Sequence, residues 1–343
     1  MDDTLLESVI KITRARNTKS LLTVLIHTLS DLITFDAMIF MHCSQDNGNL
    51  ELSVSIPEHA YQNKLVQVSH KLDVIQFKPS ESITHCIQNK EVVIEMFNGA
   101  EQCFFPVELN NKVIGILAIY GYQPNTNNPV QIGNFLRIYS NFLAVLDDNE
   151  HDTLTRLLNR KTFDACIFEF IAKAAPKENE LGRDALERRS THEDQHHWIG
   201  VLDIDHFKKI NDHFGHNYGD EVLLHFASVM RKSFRRSDML FRYGGEEFVV
   251  VLASTSENNA LMVFERFRKN IELFDFPQVG RVTVSIGLTK IGAQEHQSTV
   301  VERADQALYF AKEHGRNQVC IYQRLIADGL LKQRIDNCEV ELF

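Results

Sequence analysis

The sequence predicts an α+β protein of two domains, with a central sheet that contains antiparallel strands in the second domain. Gly244 and Gly245 lie between two apolar runs, residues 239–241 and 248–252. This pattern predicts a β-hairpin, because glycine reaches the positive φ of a tight turn without strain. Residues 198–291 follow the order strand, helix, strand, strand, helix, strand. A chain of 343 residues is long enough for two domains with separate cores.

The composition limits the classes of function that the chain can have. With 36 basic and 46 acidic residues, its formal net charge is −10, which argues against a general binder of nucleic acid or of anionic membranes. The strong apolar stretch at residues 113–119 is too short to span a bilayer, and the acidic start Asp2-Asp3 is unlike a signal peptide. We therefore expect a cytoplasmic protein without a membrane or nucleic-acid partner. The six scattered cysteines have no paired spacing, so most should be buried free thiols.

The first domain is assigned to residues 1–128. Apolar positions at helical spacing predict a helix that ends near Ile33, and a second, short helix is predicted over residues 80–89. Strands are predicted at residues 36–41, 50–56, 91–95, 103–109 and 112–120, and the last two are joined by a hairpin turn at Asn110-Asn111. This order is similar to that of a GAF domain, with a PAS-like domain as the alternative. The resemblance implies a sensor and dimerisation domain, whose ligand or protein partner the sequence does not identify.

Residues 129–160 are predicted to form a helical linker. Ile132, Phe135, Phe142 and Leu146 recur at helical spacing before the chain turns polar at residues 147–150. A continuous apolar seam at this place suits a parallel pair of helices from two copies of the chain. The alternative is a helix that packs on the first domain of its own chain.

The second domain is assigned to residues 161–323. Residues 175–197 are dense in charge and histidine, so we expect a solvated insertion before the strand that begins at Trp198. Residues 324–343 form a C-terminal tail that matches no pattern.

Carboxylates follow both the buried strand and the two glycines of the hairpin turn. The apolar run from Trp198 ends at Asp203, while Glu246 and Glu247 follow the two glycines. If this strand lies beside the hairpin, the three carboxylates converge. Carboxylates repel one another unless a cation lies among them, and oxygen ligands suit Mg²⁺ or Mn²⁺. A metal pair of this kind on a sheet edge is typical of nucleotidyl transfer.

Four stretches of the second half resemble the GGDEF-family diguanylate cyclases. Arg242 to Phe248 matches the Gly-Gly-Glu-Glu-Phe signature of that family. Residues 152–160, 203–220 and 304–317 match its opening segment, its metal- and guanine-binding stretch and its closing helix. The resemblance covers residues 152–322, roughly half of the chain. It implies a palm-like α+β domain that condenses two GTP molecules into cyclic di-GMP and releases pyrophosphate.

The resemblance also implies the roles of individual residues. Two Mg²⁺ or Mn²⁺ ions per active site are expected on four residues with oxygen ligands, which are Asp203, Ile204 through its carbonyl, Glu246 and Glu247. The expected catalytic residues are Glu246, Glu247 and Lys208, and Glu246 helps to deprotonate the attacking 3′-hydroxyl. A further set is expected to contact GTP, through positive charge near the triphosphate or through hydrogen bonds to guanine: Asn211, His216, Asp220, Arg242, Lys312 and Arg316.

Regulation is implied by a second motif. Arg235 and Asp238 match the inhibitory Arg-x-x-Asp site of the family, where cyclic di-GMP binds away from the active site. A surface ion pair is the alternative, since this short motif is common by chance. Each cyclase domain binds one GTP, so activity implies a homodimer. Two rival hypotheses are an inactive domain that only binds cyclic di-GMP and a vestigial cyclase controlled by the first domain. Every expected catalytic position is filled, which favours an enzyme.

Overall fold

The chain divides into two compact units, Met1–Asn149 and Glu150–Phe343. The structure is a computed structural model that describes residues 3–15, 17–46, 49–54, 65–67, 75–77, 80–97, 100–109, 111–121, 129–173, 195–235, 237–293 and 295–332. The boundary between the units falls inside the region assigned to the linker, so residues 129–149 belong to the first unit and residues 150–160 to the second.

The first unit is a mostly antiparallel sheet with helices. Its elements are α1 (Asp3–Thr13), α2 (Thr18–Leu32), β1 (Ala37–Asp46), β2 (Asn49–Val54), β3 (Leu65–Gln67), β4 (Ile75–Phe77), α3 (Glu81–Asn89), β5 (Val93–Phe97), β6 (Ala100–Leu109), β7 (Lys112–Tyr120) and α4 (Pro129–Glu150). The strand order is β4-β2-β1-β7-β6-β5, and β3 pairs in parallel with β1. The predicted turn between β6 and β7 is confirmed, because Leu109 pairs with Lys112 and Asn111 has a φ of 63°.

Helix α4 closes the core of the first unit. Its buried residues are Ile132, Phe135, Leu136, Tyr139, Leu143 and Leu146. They pack in one cluster with α2 and with the sheet residues Phe40, Phe105 and Leu117. The helix itself was predicted, and its buried face packs on the first domain of its own chain, as the alternative interpretation stated; a pairing of this helix between two copies stays a prediction. The same spacing of apolar residues fits any apolar partner, and here the partner is the sheet of the same chain.

The second unit is a mixed sheet covered by helices on both faces. Its elements are β8 (Leu158–Asn159), α5 (Arg160–Lys173), β9 (His196–Ile204), α6 (Phe207–Phe214), α7 (His216–Ser233), β10 (Met239–Gly244), β11 (Glu247–Thr255), α8 (Glu257–Leu273), β12 (Asp275–Phe276), β13 (Gly280–Arg281), β14 (Val284–Lys290), α9 (Gln297–Glu313), β15 (Val319–Ile321) and α10 (Tyr322–Ala327). The strand order is β15-β14-β9-β11-β10-β8. The central pairs are antiparallel, and β8 and β15 join the edges in parallel. The predicted α+β class of this unit is confirmed.

The two faces of this sheet bury alternate residues of the same strands. Phe248 and Val250 of β11 pack with α7 and α8, whereas Val249 and Val251 pack with α5 and α9. A strand covered on both faces needs a continuous apolar run. This requirement explains the unbroken apolar sequence before Asp203, because Leu202 of β9 packs in the first of these clusters and Val201 in the second.

Two segment boundaries differ from the sequence-based expectation. Strand β9 begins at His196 rather than Trp198, because His196 pairs with Thr255 across the sheet. The rest of the predicted insertion, up to residue 194, lies outside the described residues. The predicted tail begins inside α10, whose Tyr322 and Leu325 are buried against Ala311 of α9. Residues 333–343 lie outside the described part of the chain.

The five cysteines in the described residues are free thiols, as predicted. Burial raises the pKa of Cys86 to about 12 and that of Cys103 and Cys320 to about 11. Cys338 lies outside the described residues. In the part of the chain that the structure describes, no helix is long and apolar enough to cross a membrane.

Candidate active site

The hairpin turn and the end of β9 meet at one edge of the sheet. Gly244 pairs with Glu247, Gly245 has a φ of 44°, and the register of β10 shifts just before the turn. Glu247 is the cross-strand partner of Asp203. The N–H group of Ile204 donates to the carbonyl of Glu246, at 3.4 Å. The predicted convergence of Asp203 with the hairpin acids therefore follows from the register of two antiparallel strands.

Lys312 forms an ion pair with Asp203, the buried acid of this edge. Its Nζ is 2.8 Å from Oδ2 of Asp203, and Asp203 is only 7% exposed. Burial raises the pKa of Asp203, Lys312 opposes that change, and the neighbouring charges of Glu246 and Glu247 add to it. The lysine therefore offsets part of the negative charge that the strand register brings together.

The donor groups at this edge suit a hard divalent cation. Asp203, Glu246 and Glu247 offer carboxylate oxygens, and Ile204 offers a carbonyl. Among the described residues, no three metal-ligating side chains lie close enough together to hold an ion as they stand. Glu246 is half-buried and Glu247 is exposed, so rotation of exposed side chains can complete a site around Asp203.

Asp305 is an acid at this edge to which the sequence assigned no role. It lies two helical turns before Lys312 on α9, which places the two side chains on one face of the helix. Partial burial raises its pKa to about 6, and the charge of Glu247 adds to this shift. The seven-residue spacing from Lys312 is the signal that could have identified it.

Arg242 contacts the hairpin turn and the start of the second unit. Its Nη1 is 3.0 Å from Oδ1 of Asp152, and its Nε donates to the carbonyl of Gly245 at 3.1 Å. Asp152 also accepts bonds from the N–H and the hydroxyl of Thr155. Burial alone would raise the pKa of Asp152, but these hydrogen bonds and the charge of Arg242 lower it. Arg242 thus joins the turn to the segment before β8, rather than extending into solvent.

The helical hairpin of α6 and α7 carries the residues expected to bind guanine. Asn211 of α6 is half-buried, and its Oδ1 is buried without a hydrogen-bond partner in the described part of the chain. His216 and Asp220 of α7 and Lys208 of α6 are exposed. An added Cβ at Gly219 would lie 1.9 Å from Oδ1 of Asn211, so this glycine leaves the space that the Asn211 side chain occupies.

In the expected inhibitory site, the side chain of Asp238 accepts hydrogen bonds from backbone N–H groups, including that of Arg235. Oδ2 of Asp238 accepts the N–H of Arg235 at 2.9 Å, and Oδ1 accepts the N–H of Ala253 at 3.3 Å. The side chain of Arg235 is exposed. Asp238 therefore fixes the turn before β10 and leaves the Arg235 side chain open to solvent.

The fold and the edge of acids define the class of the second unit as a palm-like domain with a Gly-Gly-Glu-Glu-Phe hairpin. The family model "Diguanylate cyclase, GGDEF domain" matches residues 149–318. This part of the chain is therefore a GGDEF domain.

Curated relatives and solved structures share this domain. The chain is 32% identical to Diguanylate cyclase A of Treponema denticola over 254 residues, and this match covers 70% of this chain and 65% of that protein. It is 38% identical over 181 residues to Diguanylate cyclase DgcP of Pseudomonas aeruginosa, covering 52% of this chain and 25% of that protein. The chain thus spans less than two thirds of the length of either relative. The crystal structure of the GGDEF domain of DgcB from Caulobacter crescentus in complex with c-di-GMP is 32% identical, with a TM-score of 0.42 and coverage of 51% of this chain and 96% of that chain.

Proposed function

We propose that this protein is a diguanylate cyclase that condenses two GTP molecules into cyclic di-GMP and two pyrophosphates. The observation that carries the proposal is the acidic edge of the GGDEF domain, where Asp203 and Glu247 are cross-strand partners and Lys312 lies on Asp203. Incubation of the full chain with GTP and Mg²⁺ should yield cyclic di-GMP and pyrophosphate in a chromatographic assay. Unchanged GTP would contradict the proposal.

Asn211 and Asp220 are proposed to select guanine. A carboxylate at position 220 can accept bonds from both N1–H and N2–H₂ of guanine, whereas adenine offers no such pair of donors. Asp220 and His216 are exposed on α7, so a base can reach them without rearrangement of the core.

The basic residues are proposed to hold the triphosphate. Lys208 and Arg316 have exposed side chains, and Lys312 already lies beside the acidic edge. Positive charge fixed near the phosphates stabilises the charge that builds up during phosphoryl transfer. Arg242 was expected in this set, but its contacts with Asp152 and Gly245 support a role in holding the turn.

Proton transfer is assigned to the hairpin acids. Glu246 is proposed to accept the proton of the attacking 3′-hydroxyl, with Glu247 and Asp203 completing the oxygen ligands for two Mg²⁺ or Mn²⁺ ions. Bound divalent cations would lower the pKa of the hydroxyl and neutralise the phosphates.

Cyclic di-GMP is built from two GTP molecules, and each cyclase domain is expected to bind one of them. Two domains therefore have to bring their active sites face to face. We therefore propose a homodimer. The first unit, with its antiparallel sheet and the α4 helix, is proposed to be a GAF-like sensor that responds to a ligand or partner and controls this pairing.

Gly219→Ala tests how Asn211 reaches the base. The added Cβ would displace the Asn211 side chain, while alanine is favoured over glycine inside a helix by roughly 1 kcal/mol. We expect the KM for GTP to rise about tenfold, as loss of a hydrogen bond to the base predicts, with no loss of thermal stability. Steady-state kinetics and a thermal melt measure the two quantities. Gly133→Ala is the control, because its added Cβ meets no atom within 4 Å. A parental KM in Gly219→Ala would contradict this role of Asn211.

Arg235→Ala tests product inhibition. The exposed guanidinium can form paired bonds to a guanine edge or a phosphate, and it lies outside the acidic edge. The cyclic di-GMP concentration for half inhibition should rise about tenfold, the loss expected from one charge-assisted contact, while the initial rate at low product stays close to parental. Initial rates at increasing added product measure this shift. Unaltered inhibition of Arg235→Ala would contradict an inhibitory site at these residues, and Asp238 would then serve only to hold the turn.

A further inference from the structure

The loop that follows α9 has an unusual backbone. Gly315, Arg316 and Asn317 have φ values of 111°, 64° and 45°. Glycine adopts such values freely, but arginine and asparagine rarely do, and a pair of them in succession persists only when surrounding contacts hold it. The structure therefore has to supply contacts that fix this loop.

Asn317 makes those contacts through both its backbone and its side chain. Its N–H donates to Oδ2 of Asp205 at 3.0 Å. Its Oδ1 accepts Nη1 of Arg268 at 2.8 Å, and its Nδ2 donates to Oε1 of Glu272 at 2.8 Å. These hydrogen bonds reach two different elements, because Asp205 follows β9 and the other two partners lie on α8.

The partners of Asn317 are themselves fixed. The Arg268 side chain is 11% exposed and forms ion pairs with Glu265 and Glu272. Asp205 is 5% exposed and also accepts the hydroxyls of Thr283 and Ser285, each at 2.7 Å. The hydrogen bonds from Asn317 and Arg268 lower the pKa of Glu272, so this carboxyl stays ionised. The loop is thus held by groups that do not belong to the acidic edge.

Arg316 has the opposite surroundings. Its N–H donates to the carbonyl of Ala311 at 3.0 Å, whereas its side chain is exposed. The backbone of the loop therefore fixes the point at which the Arg316 side chain leaves the chain, and the contacts of Asn317 hold that backbone.

We infer that Asn317 is a positioning residue, which the Arg268–Glu272 pair and Asp205 hold so that Arg316 points at the phosphates of the nucleotide. This inference rests on the proposed function, because it assigns Arg316 to the triphosphate of GTP. Asn317 and Arg268 do not touch the substrate themselves. They hold the loop that carries Arg316 in one conformation before the nucleotide binds. Less conformational freedom of the loop is then lost on binding.

Asn317→Gly separates positioning from general stability. Glycine accepts the positive φ at this place, so the variant keeps the backbone path and loses the two side-chain hydrogen bonds. We expect the Kd for GTP, measured by calorimetry on the full chain, to rise about fivefold or more, which corresponds to the loss of a modest hydrogen-bonded constraint. Arg268→Met removes the same contact from α8 and should give a similar rise. Glu257→Gln, which changes an acid at the start of the same helix that pairs with Arg324, is the control and should bind like the parent.

A double-mutant cycle shows whether the effect passes through Arg316. If Asn317 acts by positioning Arg316, Asn317→Gly should weaken GTP binding in the parent and have no further effect in the Arg316→Ala background. An equal effect in both backgrounds, or parental binding by Asn317→Gly, would overturn the inference. Because the readout is binding, failure of the proposed function appears separately, as a parent protein that binds GTP but forms no product.

Discussion

Glu246→Gln is expected to lower the turnover of GTP by about 100-fold or more, the size of effect seen when a group that stabilises the transition state is removed. Glutamine keeps the size of the side chain, but it removes a charge next to Asp203 and Glu247 and cannot accept the proton of the 3′-hydroxyl. The KM for GTP should change little, since the base and the phosphates are assigned to other residues. Formation of cyclic di-GMP at saturating GTP, followed by chromatography, measures the loss.

Glu257→Gln is the matched control for this variant. Glu257 lies at the start of α8 and pairs with Arg324 at the surface, so the same chemical change there should leave turnover at the parental value. Parental turnover by Glu246→Gln would show that the carboxylate of Glu246 takes no part in the reaction.

Gly287→Ala is expected to have the largest effect on the stability of the second unit. An added Cβ would lie 2.1 Å from the carbonyl oxygen of Ala304 and 2.2 Å from the N–H nitrogen of Leu308, which are backbone atoms of α9. The helix has to move away from β14 to make room, and such overpacking costs about 3 kcal/mol. For a domain of this size the midpoint of thermal unfolding should fall by roughly 6–12 °C.

Gly244→Ala is the stability control for that substitution. Its added Cβ meets no atom within 4 Å, and it lies in the same sheet as Gly287. Calorimetric melts of the two variants should therefore differ clearly. A melting temperature of Gly287→Ala equal to that of the parent would contradict the close approach of α9 to β14.

Much of the second unit could be predicted from local patterns. The Gly-Gly turn between apolar runs predicted the hairpin, and the apolar run before Asp203 predicted a strand, because β9 is covered on both faces. The order of the motifs then predicted which acids converge. No single segment predicts the register that makes Asp203 the partner of Glu247. That register depends on the pairing of two strands that are distant in the sequence.

Other contacts between residues that are distant in the sequence could not be predicted. The spacing of Phe135 predicted an apolar helical face but left two partners open, a second copy of the chain and the first domain of the same chain, on which it packs. The contact of Arg242 with Asp152, 90 residues away in the sequence, could not be read from any local pattern, and its contact with GTP stays a prediction. Asn317 and Asp205 lie within recognisable motifs, yet their contact depends on a loop whose left-handed backbone no periodicity signals.

The product formed from an equal mixture of GTP and ATP tests the central claim most directly. The purified full chain is incubated with both nucleotides and Mg²⁺, and the cyclic dinucleotides are resolved by mass. Because Asp203 and the hairpin acids meet at one edge of the sheet and Asp220 offers paired acceptors to guanine, we predict that cyclic di-GMP is the dominant product, and that a chelator abolishes its formation. Absence of any cyclic dinucleotide would contradict the assignment of the GGDEF domain as an active cyclase, and free formation of a mixed guanine–adenine product would contradict the role of Asp220.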